Sequence, residues 1–327
     1  MKRKQSGLRI MSRLIVLVKP LSGFMCLAVL LGVLGFLCAI QITVAGSLTL
    51  LTAAKISGGI AIKTGCICII IFAVLRGFLH YGEQACNHYI AFKLLALIRD
   101  KVFKAMRRLS PAKLEGKDKG NLVSVITSDI ELLEVFYAHT ISPTCIAILT
   151  CLIMLIFIGR YSIWLSLVAL AAYITVGAVI PLVSSRLNKN AGMTYRNGSG
   201  ALSGFVLDSM RGLLESIRYN STDKRLEEMD KKTDELNSLQ NKLKKIEGHT
   251  GAVTDIAIIF FSVAMLLTGI ALYQKGVIGF DGMIVSTVSM MSSFGPVAAL
   301  SGLAGNLTHT LAAGERVLGI LDETPVV

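Results

Sequence analysis

The stretch IIIFAVLRGFLHYGEQACNHYIAFKLLALIRDKVFKAMRRLSP (69–111) begins as an apolar run and continues into a charged segment with no proline before Pro111. In the charged part, apolar residues recur with the period of a helix from Leu94 to Leu109. The pattern therefore predicts one helix that crosses a membrane and continues beyond it. At a rise of about 1.5 Å per residue, the part from His80 to Leu109 would extend about 45 Å past the bilayer.

Six apolar runs in the chain are long enough to cross the hydrocarbon core of a bilayer, which takes roughly 20 helical residues. The composition agrees, since 53% of the 327 residues are hydrophobic, 17% are charged and the mean hydropathy is +0.66. We therefore predict an all-α, polytopic membrane protein with six transmembrane helices and long cytosolic helical extensions. The predicted spans lie at 20–44, 59–79, 139–159, 162–183, 252–273 and 282–303.

The basic residues indicate the orientation of the spans, because cytoplasmic connections carry an excess of Lys and Arg. Most of the 33 Lys and Arg residues, which give a net charge of +12, lie in the N-terminal tail and in residues 80–138 and 184–251. Both termini and both long connections are therefore predicted to be cytoplasmic. The basic residues that remain for the spans and the opposite face are Lys55, Lys63, Arg76, Arg160 and Lys275.

The composition also argues against other classes of protein. Nucleic-acid binding is not expected, because the chain has one Trp, 7% aromatic residues and no zinc-finger spacing of Cys and His. The seven Cys residues lie in or beside apolar runs and are odd in number, so no disulfide framework is expected.

A second helical extension is predicted at 223–247, where apolar residues approximate the a and d positions of a heptad between Glu and Lys residues. The outer charged residues of this stretch are expected to be a solvated helix face. The predicted seam consists of Leu226, Met229, Thr233, Leu236, Leu239 or Gln240, Leu243 and Ile246.

Two short breaks separate the long helices. The first covers 110–120, where Ser-Pro-Ala precedes a charged, glycine-containing run, and the next helix is expected to begin near Asn121. The second covers 211–222, with Ser221 or Thr222 as the N-cap of the following helix. Each break would lie at the cytosolic tip of a helical hairpin, where it could pass movement from a cytosolic partner to the membrane helices. The residues predicted to couple in this way are Lys113, Glu115, Lys117, Asp118, Gly120, Arg211, Gly212, Glu215 and Arg218.

Two segments carry a family pattern, GNLVSVITSDIELLEVFY (120–137) and AAGERVLGILDETPVV (312–327). With them the chain resembles, over nearly its whole length, the transmembrane domain of six-helix, domain-swapped ABC exporters. Gly120 and Asp129 match that family, whereas Asn121 and Val125 depart from its acidic and basic residues. The resemblance implies a cytosolic basic segment at 1–19, the transmembrane domain at 20–321, and the start of a linker to a nucleotide-binding domain at 322–327.

The chain contains no G-x-x-x-x-G-K-[ST] phosphate-binding loop. ATP and Mg²⁺ are therefore expected in a nucleotide-binding domain outside it, and the whole protein is expected to be an ATP-dependent translocase. The run from Asp322 to Val327 favours a chain cut after the linker over an ATPase on a separate chain. The implied mechanism is alternating access, and the implied partners are nucleotide-binding domains, a second half-transporter in a hetero- or homodimer, and the lipid bilayer.

Residues 76–111 resemble more closely one subunit, the CydC-like half, of the heterodimeric CydDC exporter tied to cytochrome bd assembly. Tyr81, Glu83 and His88 match that family, and Gln84 stands where an Arg is expected. The segment SDIELLEVFYAHTISP (128–143) resembles it as well. The resemblance implies a heterodimer in the bacterial inner membrane that exports the thiol reductants cysteine and glutathione, or that handles haem.

In the haem interpretation, His88 would be an axial iron ligand, with Gln84 one turn away on the same helix face. His80, about two turns earlier, is a second candidate. A lone His on a helix is more often a packing or surface residue, so both interpretations stay open.

Polar and charged side chains inside the spans are candidates for binding an anionic or zwitterionic substrate, because such residues are costly in lipid. Arg76 could meet a carboxylate, or Glu83 could neutralise Arg76; a structural pair or a side chain reaching the headgroups fits as well. The small polar residues of the sixth span fit a cavity lining or a close helix contact equally well. The competing functions are a lipid, drug or peptide exporter half and a non-transporting haem-binding membrane module. The candidate residues are Arg76, His80, Tyr81, Glu83, Gln84, Asn87, His88 and Asp255.

Overall fold

The computed structural model describes residues 7–56, 60–110, 125–187, 191–301 and 304–323. These residues form helices and short connections, and no β-strand occurs among them. They divide into two compact units, the first formed by Met1–Ala178 with Ala257–Val327 and the second by Val179–Ile256. The all-α fold class is confirmed.

The helices are numbered in chain order, with π-helical turns at Val125–Asp129, Tyr137–Ile141 and Thr175–Val179. They are α1 (Gly7–Leu17), α2 (Ser22–Ala53), α3 (Ile62–Leu109), α4 (Ile130–Phe136), α5 (Ser142–Gly159), α6 (Ile163–Ile174), α7 (Ile180–Leu187), α8 (Ala191–Arg211), α9 (Leu213–Arg218), α10 (Thr222–Gln274), α11 (Phe280–Ser292), α12 (Phe294–Ser301) and α13 (Ala304–Leu321).

Six helical segments among the described residues are long and apolar enough to cross a membrane. Each overlaps one predicted span, so the predicted number and order are confirmed. The chain is a multi-pass membrane protein. The segments are Lys19–Ala53, Ile62–Leu109, Ser142–Gly159, Ile163–Arg186, Thr222–Gln274 and Phe280–Leu300.

Two of these helices are much longer than a bilayer requires. The 48 residues of α3 and the 53 residues of α10 correspond to about 72 and about 80 Å of helix. Helix α3 ends at Leu109 because Ser110 adopts an extended conformation with ψ of 145°, the conformation favoured before a proline. The predicted continuation of both helices beyond a span is confirmed.

The first unit contains two apolar clusters. One joins α1, α3, α4 and α13 through buried residues that include Leu14, Ile90, Leu133 and Val317. The other joins α2, α5, α6, α10 and α11, and Met265 is fully buried in it. Helix α1 was expected only as a basic segment. It forms a helix because Ile10, Leu14 and Val18 share one face and are buried in the first cluster.

The second unit consists of α7, α8, α9 and the first part of α10. A Cβ on Gly198 of α8 would lie 3.2 Å from the Leu239 side chain and 3.3 Å from that of Leu236, so α8 packs on the predicted seam. The seam prediction is wrong at Leu226, which is 54% exposed. Its neighbour Arg225 takes the inward position.

Arg225 is accommodated by an aromatic ring and a hydroxyl group on α8. Its guanidinium carbon lies 5.3 Å from the centre of the Phe205 ring, and its Nη1 donates to Ser209 Oγ at 3.2 Å. Lys232 Nζ lies 5.4 Å from the centre of the same ring. A cation can occupy this position because its aliphatic stem packs while its charge meets the ring face.

The break predicted at 211–222 contains one short helix, α9. Asn220 has a φ of 50°, a left-handed conformation that Asn tolerates better than most residues. Since α10 begins at Thr222, Ser221 takes the N-cap position, where its hydroxyl donates to the Ser216 carbonyl at 3.3 Å. The first break and the helix start predicted near Asn121 lie outside the described residues.

Candidate functional site

A polar cluster lies on α3, beyond residue 79 where the second span was predicted to end, and consists of Glu83, His80 and Asn87. One carboxylate oxygen of Glu83 is 3.2 Å from His80 Nδ1, and the other accepts from Asn87 Nδ2 at 3.4 Å. The spacings of three and four residues place all three side chains on one face of the helix. Glu83 and Asn87 are 6% and 3% exposed, respectively, whereas the His80 side chain is 64% exposed.

The carboxyl group of Glu83 lies where α2, α3 and α5 meet. A Cβ on Gly32 of α2 would lie 3.2 Å from Glu83 Cδ and 2.3 Å from Cδ1 of Ile146 in α5. The missing side chain of Gly32 therefore makes room for the carboxyl group. This neighbourhood was not predicted, because it depends on packing between helices that are distant in sequence.

One polar atom of the cluster has no hydrogen-bond partner among the described residues. Asn87 Oδ1 is buried and unpaired, although an unpaired buried polar atom usually costs about 1–3 kcal/mol. The cluster thus offers a carboxylate, an imidazole at its exposed edge, and a free amide acceptor. Such a set can bind an ammonium or a hydrogen-bond donor of a substrate.

The other candidates on α3 do not join this cluster. Arg76 and Tyr81 are exposed, Gln84 is half-buried, and Glu83 contacts His80 in place of Arg76. Asp255, on α10 in the second unit, is exposed. These residues remain predictions for substrate contacts.

His88 is exposed on α3, and its ring stacks on Phe92 with 6.1 Å between the ring centres. The two cavities found among the described residues are lined by other residues. A haem pocket needs apolar walls on both sides of the porphyrin, and this face of α3 provides one imidazole without them. Among the residues that the structure describes, the surroundings of His88 therefore do not form a haem pocket.

The small polar residues of the sixth span form a helix contact. Ser286, Ser289 and Ser293 are fully buried against neighbouring helices of the first unit. The hydroxyls of Ser293 and Tyr173 are 2.5 Å apart. The sequence left open whether these residues line a cavity or form a close helix contact, and the structure favours the close helix contact.

A second polar group joins the ends of the chain outside the spans. Arg316 Nη2 of α13 donates to the buried carboxylate of Asp129, and Arg13 of α1 makes two hydrogen bonds of 2.5 and 2.6 Å to Asp322. Burial raises the pKa of the Asp129 carboxyl, and the Arg316 charge partly offsets that rise. The hydrogen bonds from Arg13 to Asp322 raise the pKa of the guanidinium. In the sequence, these ion pairs were indicated only by the fact that Asp129 and Arg316 each lie in a family-like segment.

The predicted coupling residues fall into two groups. Arg211 ends α8, Gly212 precedes α9, and Glu215 and Arg218 lie within α9. The others, Lys113, Glu115, Lys117, Asp118 and Gly120, lie outside the described residues. The coupling role of both groups stays a prediction.

Six membrane-crossing helices, two of which continue far past a bilayer's thickness, and a polar cluster buried between spans define the membrane domain of a transporter. A family model for the ABC transporter transmembrane region matches residues 21–297. The chain belongs to this family, and it is the transmembrane domain of an ABC exporter.

Similar proteins come from bacteria. The "Probable ABC transporter ATP-binding/permease protein" of Haemophilus influenzae is 42% identical over 98% of this chain and 58% of its own length. The "Glutathione/L-cysteine transport system ATP-binding/permease protein CydC" of the same species is 23% identical over 78% of this chain and 44% of its own length. The "ATP-dependent lipid A-core flippase" of Shewanella frigidimarina is 29% identical over 38% of this chain and 20% of its own length. The chain spans about half the length of the relatives that it matches over most of its residues.

Proposed function

We propose that this chain is the membrane half of an ATP-driven exporter of small thiol compounds such as cysteine and glutathione. The observation that carries the proposal is the buried carboxylate of Glu83, held by His80 and Asn87 between three helices of the first unit. A buried carboxylate is costly in a membrane domain, and residues of this kind usually lie on substrate or ion pathways. The ammonium group of a zwitterionic thiol can meet this carboxylate, and its amide or ammonium protons can reach Asn87 Oδ1.

The relatives support this substrate class only at low identity. CydC of Haemophilus influenzae and a Bacillus subtilis CydD, both named for glutathione and L-cysteine transport, are 23% and 25% identical to the chain. The second relative aligns over only 43% of the chain. The substrate assignment therefore depends on the Glu83 cluster and needs its own test.

The proposed assembly contains a second half-transporter, as a heterodimer, and two nucleotide-binding domains. ATP and Mg²⁺ would bind in those domains, and both ends of this chain would face the cytoplasm. Two relatives are named as ATP-binding/permease proteins, which supports this arrangement. The exposed outer face of α3, with Ile70 and Phe78 at 63% and 72% exposure, is available to lipid or to the second half.

A lipid exporter is the second candidate, which the named flippase relatives and the long exposed apolar faces of α3 and α10 favour. A lipid cargo would depend on apolar surface and would not require the carboxylate of Glu83. The two candidates therefore differ in cargo and in their dependence on one charge.

The test uses inverted membrane vesicles that contain the full-length transporter. ATP-dependent uptake of radiolabelled cysteine and glutathione is compared with ATP-dependent movement of a fluorescent lipid, with a non-hydrolysable ATP analogue as the control. Uptake of a thiol compound that needs ATP hydrolysis supports the proposal. Lipid movement with no thiol uptake overturns it in favour of the second candidate.

A further inference from the structure

The second unit contains an apolar cavity of about 340 Å³ between α7 and the first part of α10. Its walls include Val179 and Val183 from one side and Ile246 and Val253 from the other. Val179, Val183 and Val253 are each about half exposed, at 47%, 50% and 51%. The volume lies within the range of roughly 300–1,000 Å³ that is usual for small-molecule sites.

The polar side chains of this cavity differ in their hydrogen bonds and in their exposure. Ser184 and Thr250 face each other with 2.7 Å between their hydroxyl oxygens, and Thr250 also donates to the Ile246 carbonyl at 3.0 Å. His249 lines the cavity and is exposed. The walls therefore favour an apolar group, and one imidazole at the cavity can contact a polar end.

The cavity lies at the depth where both of its helices change from apolar to charged. The fourth span ends at Arg186, one turn after Val183, and α10 becomes apolar only after Glu247. Such a change marks the boundary between the hydrocarbon core and the headgroups. A ligand at this level can place an apolar chain in one region and a charged group in the other.

Basic residues lie about one helical turn from the cavity-lining residues at its charged end. Lys242 lies four residues before Ile246, and Lys245 lies four residues before His249, so each shares a face of α10 with a residue that lines the cavity. Arg186 adds a third positive charge on α7, and Glu247 is the acidic residue of the same stretch. This excess of positive charge complements an anionic headgroup.

We propose that this cavity binds one acyl chain of an anionic phospholipid, whose phosphate lies near Lys242, Lys245 and His249. The apolar walls disfavour a free phosphate or a charged peptide, because neither presents an apolar chain that could cover the valine and isoleucine side chains. Basic residues close to a bilayer surface attract anionic headgroups, and a cluster at a span's end is a usual site for them. The inference is independent of the exported substrate.

The experiment measures the phospholipid that the purified full-length transporter retains. The transporter is stripped of lipid in detergent, mixed with equal amounts of phosphatidylglycerol and phosphatidylcholine, and analysed by native mass spectrometry. We expect about 25-fold more phosphatidylglycerol than phosphatidylcholine to be retained, because Lys242 and Lys245 near the headgroups each contribute roughly fivefold to anionic binding. Equal retention of the two lipids would overturn the proposal.

Two variants and two matched controls locate the site. Replacing both Lys242→Gln and Lys245→Gln should reduce phosphatidylglycerol to the level of phosphatidylcholine, whereas Lys224→Gln with Lys231→Gln, at exposed positions earlier in α10, should not. Val183→Trp should fill the cavity and remove retained lipid.

The control for the bulky substitution is Val263→Trp, at a position of α10 that is 50% exposed and outside the cavity. Unchanged retention in the cavity variant, or an unchanged preference in the double lysine variant, would overturn the proposal. If the wild-type transporter retains no lipid at all, the proposal is wrong.

Discussion

The buried carboxylate of Asp129 is paired with the guanidinium of Arg316, which lies 187 positions later in the chain. Asp129 is 1% exposed, whereas the Arg316 side chain is 52% exposed. The pair joins the π-helical turn before α4 to the last helix, α13. Together with the contact between Arg13 and Asp322, it holds both ends of the chain on the first apolar cluster.

Replacing Arg316→Ala should destabilise the protein by about 3 kcal/mol, because it leaves a buried carboxylate without its partner. Thermal unfolding of the purified protein in detergent measures this change. The control is Arg99→Ala, whose exposed pair with Glu131 at 3.5 Å should contribute less than about 1 kcal/mol. Equal effects of the two variants would contradict the structural role of the pair.

Asp129 should also make stability depend on pH. Its pKa is raised in the folded protein, mainly by burial, so the folded state binds more protons than the unfolded state between the two pKa values. Its contribution is therefore complete below the ordinary Asp pKa of about 3.9 and is lost as pH rises through the folded pKa. Unfolding measured across this window should show that fall, and Asp129→Asn should remove it. A stability that is the same in both proteins at every pH would contradict the shift.

The sequence marked the two family-like segments that this pair joins but did not predict the pair itself. Asp129 and Arg316 each matched a family-like segment, and nothing in the spacing along the chain showed that the segments meet. Helix α1 was missed because the segment 1–19 was interpreted by its basic residues, although Ile10 and Leu14 share one helix face there. Contacts between distant helices depend on packing, which periodicity along one helix does not report.

The close approach of α2 to Glu83 gives a prediction for Gly32. A Cβ at this position would lie 2.3 Å from Ile146 Cδ1, so Gly32→Ala should cost about 1–3 kcal/mol of stability. Unfolding in detergent measures the cost, and adding Ile146→Val should recover part of it, because the clashing methyl group is removed. Gly23→Ala on the same helix is the control, since a Cβ there has no neighbour within 4 Å. Equal stability of the Gly32 and Gly23 variants would contradict the packing.

Haem binding through His88 can be tested with the purified full-length transporter. Because the exposed ring of His88 stacks on Phe92 without surrounding walls, we expect haemin to give the same Soret band with the wild type and with His88→Ala. The comparison variant is His139→Ala, because His139 lies outside residues 76–111. A Soret band that shifts only in the His88 variant would restore the haem interpretation.

Regular patterns in the sequence predicted most of the fold. The apolar period from Leu94 to Leu109 predicted the continuous α3, whereas the contacts of Glu83 with His80 and Asn87 were not predicted. The predicted seam of α10 was wrong at Leu226 because the prediction assumed that an apolar residue takes the position facing α8. The ring of Phe205 on another helix allows Arg225 to lie there instead.

The most direct test of the proposed function is ATP-dependent thiol uptake by inverted vesicles that carry the full-length transporter with Glu83→Gln. This change removes one charge and keeps an oxygen that can accept from Asn87 Nδ2, so folding should be preserved. Loss of a charged hydrogen bond to substrate costs about 1.5–3 kcal/mol, so we expect kcat/KM to fall roughly tenfold to a hundredfold. Glu131→Gln, at an exposed carboxylate of α4, should leave uptake unchanged. Thiol uptake at the wild-type rate in the Glu83 variant would contradict the proposed role of this cluster.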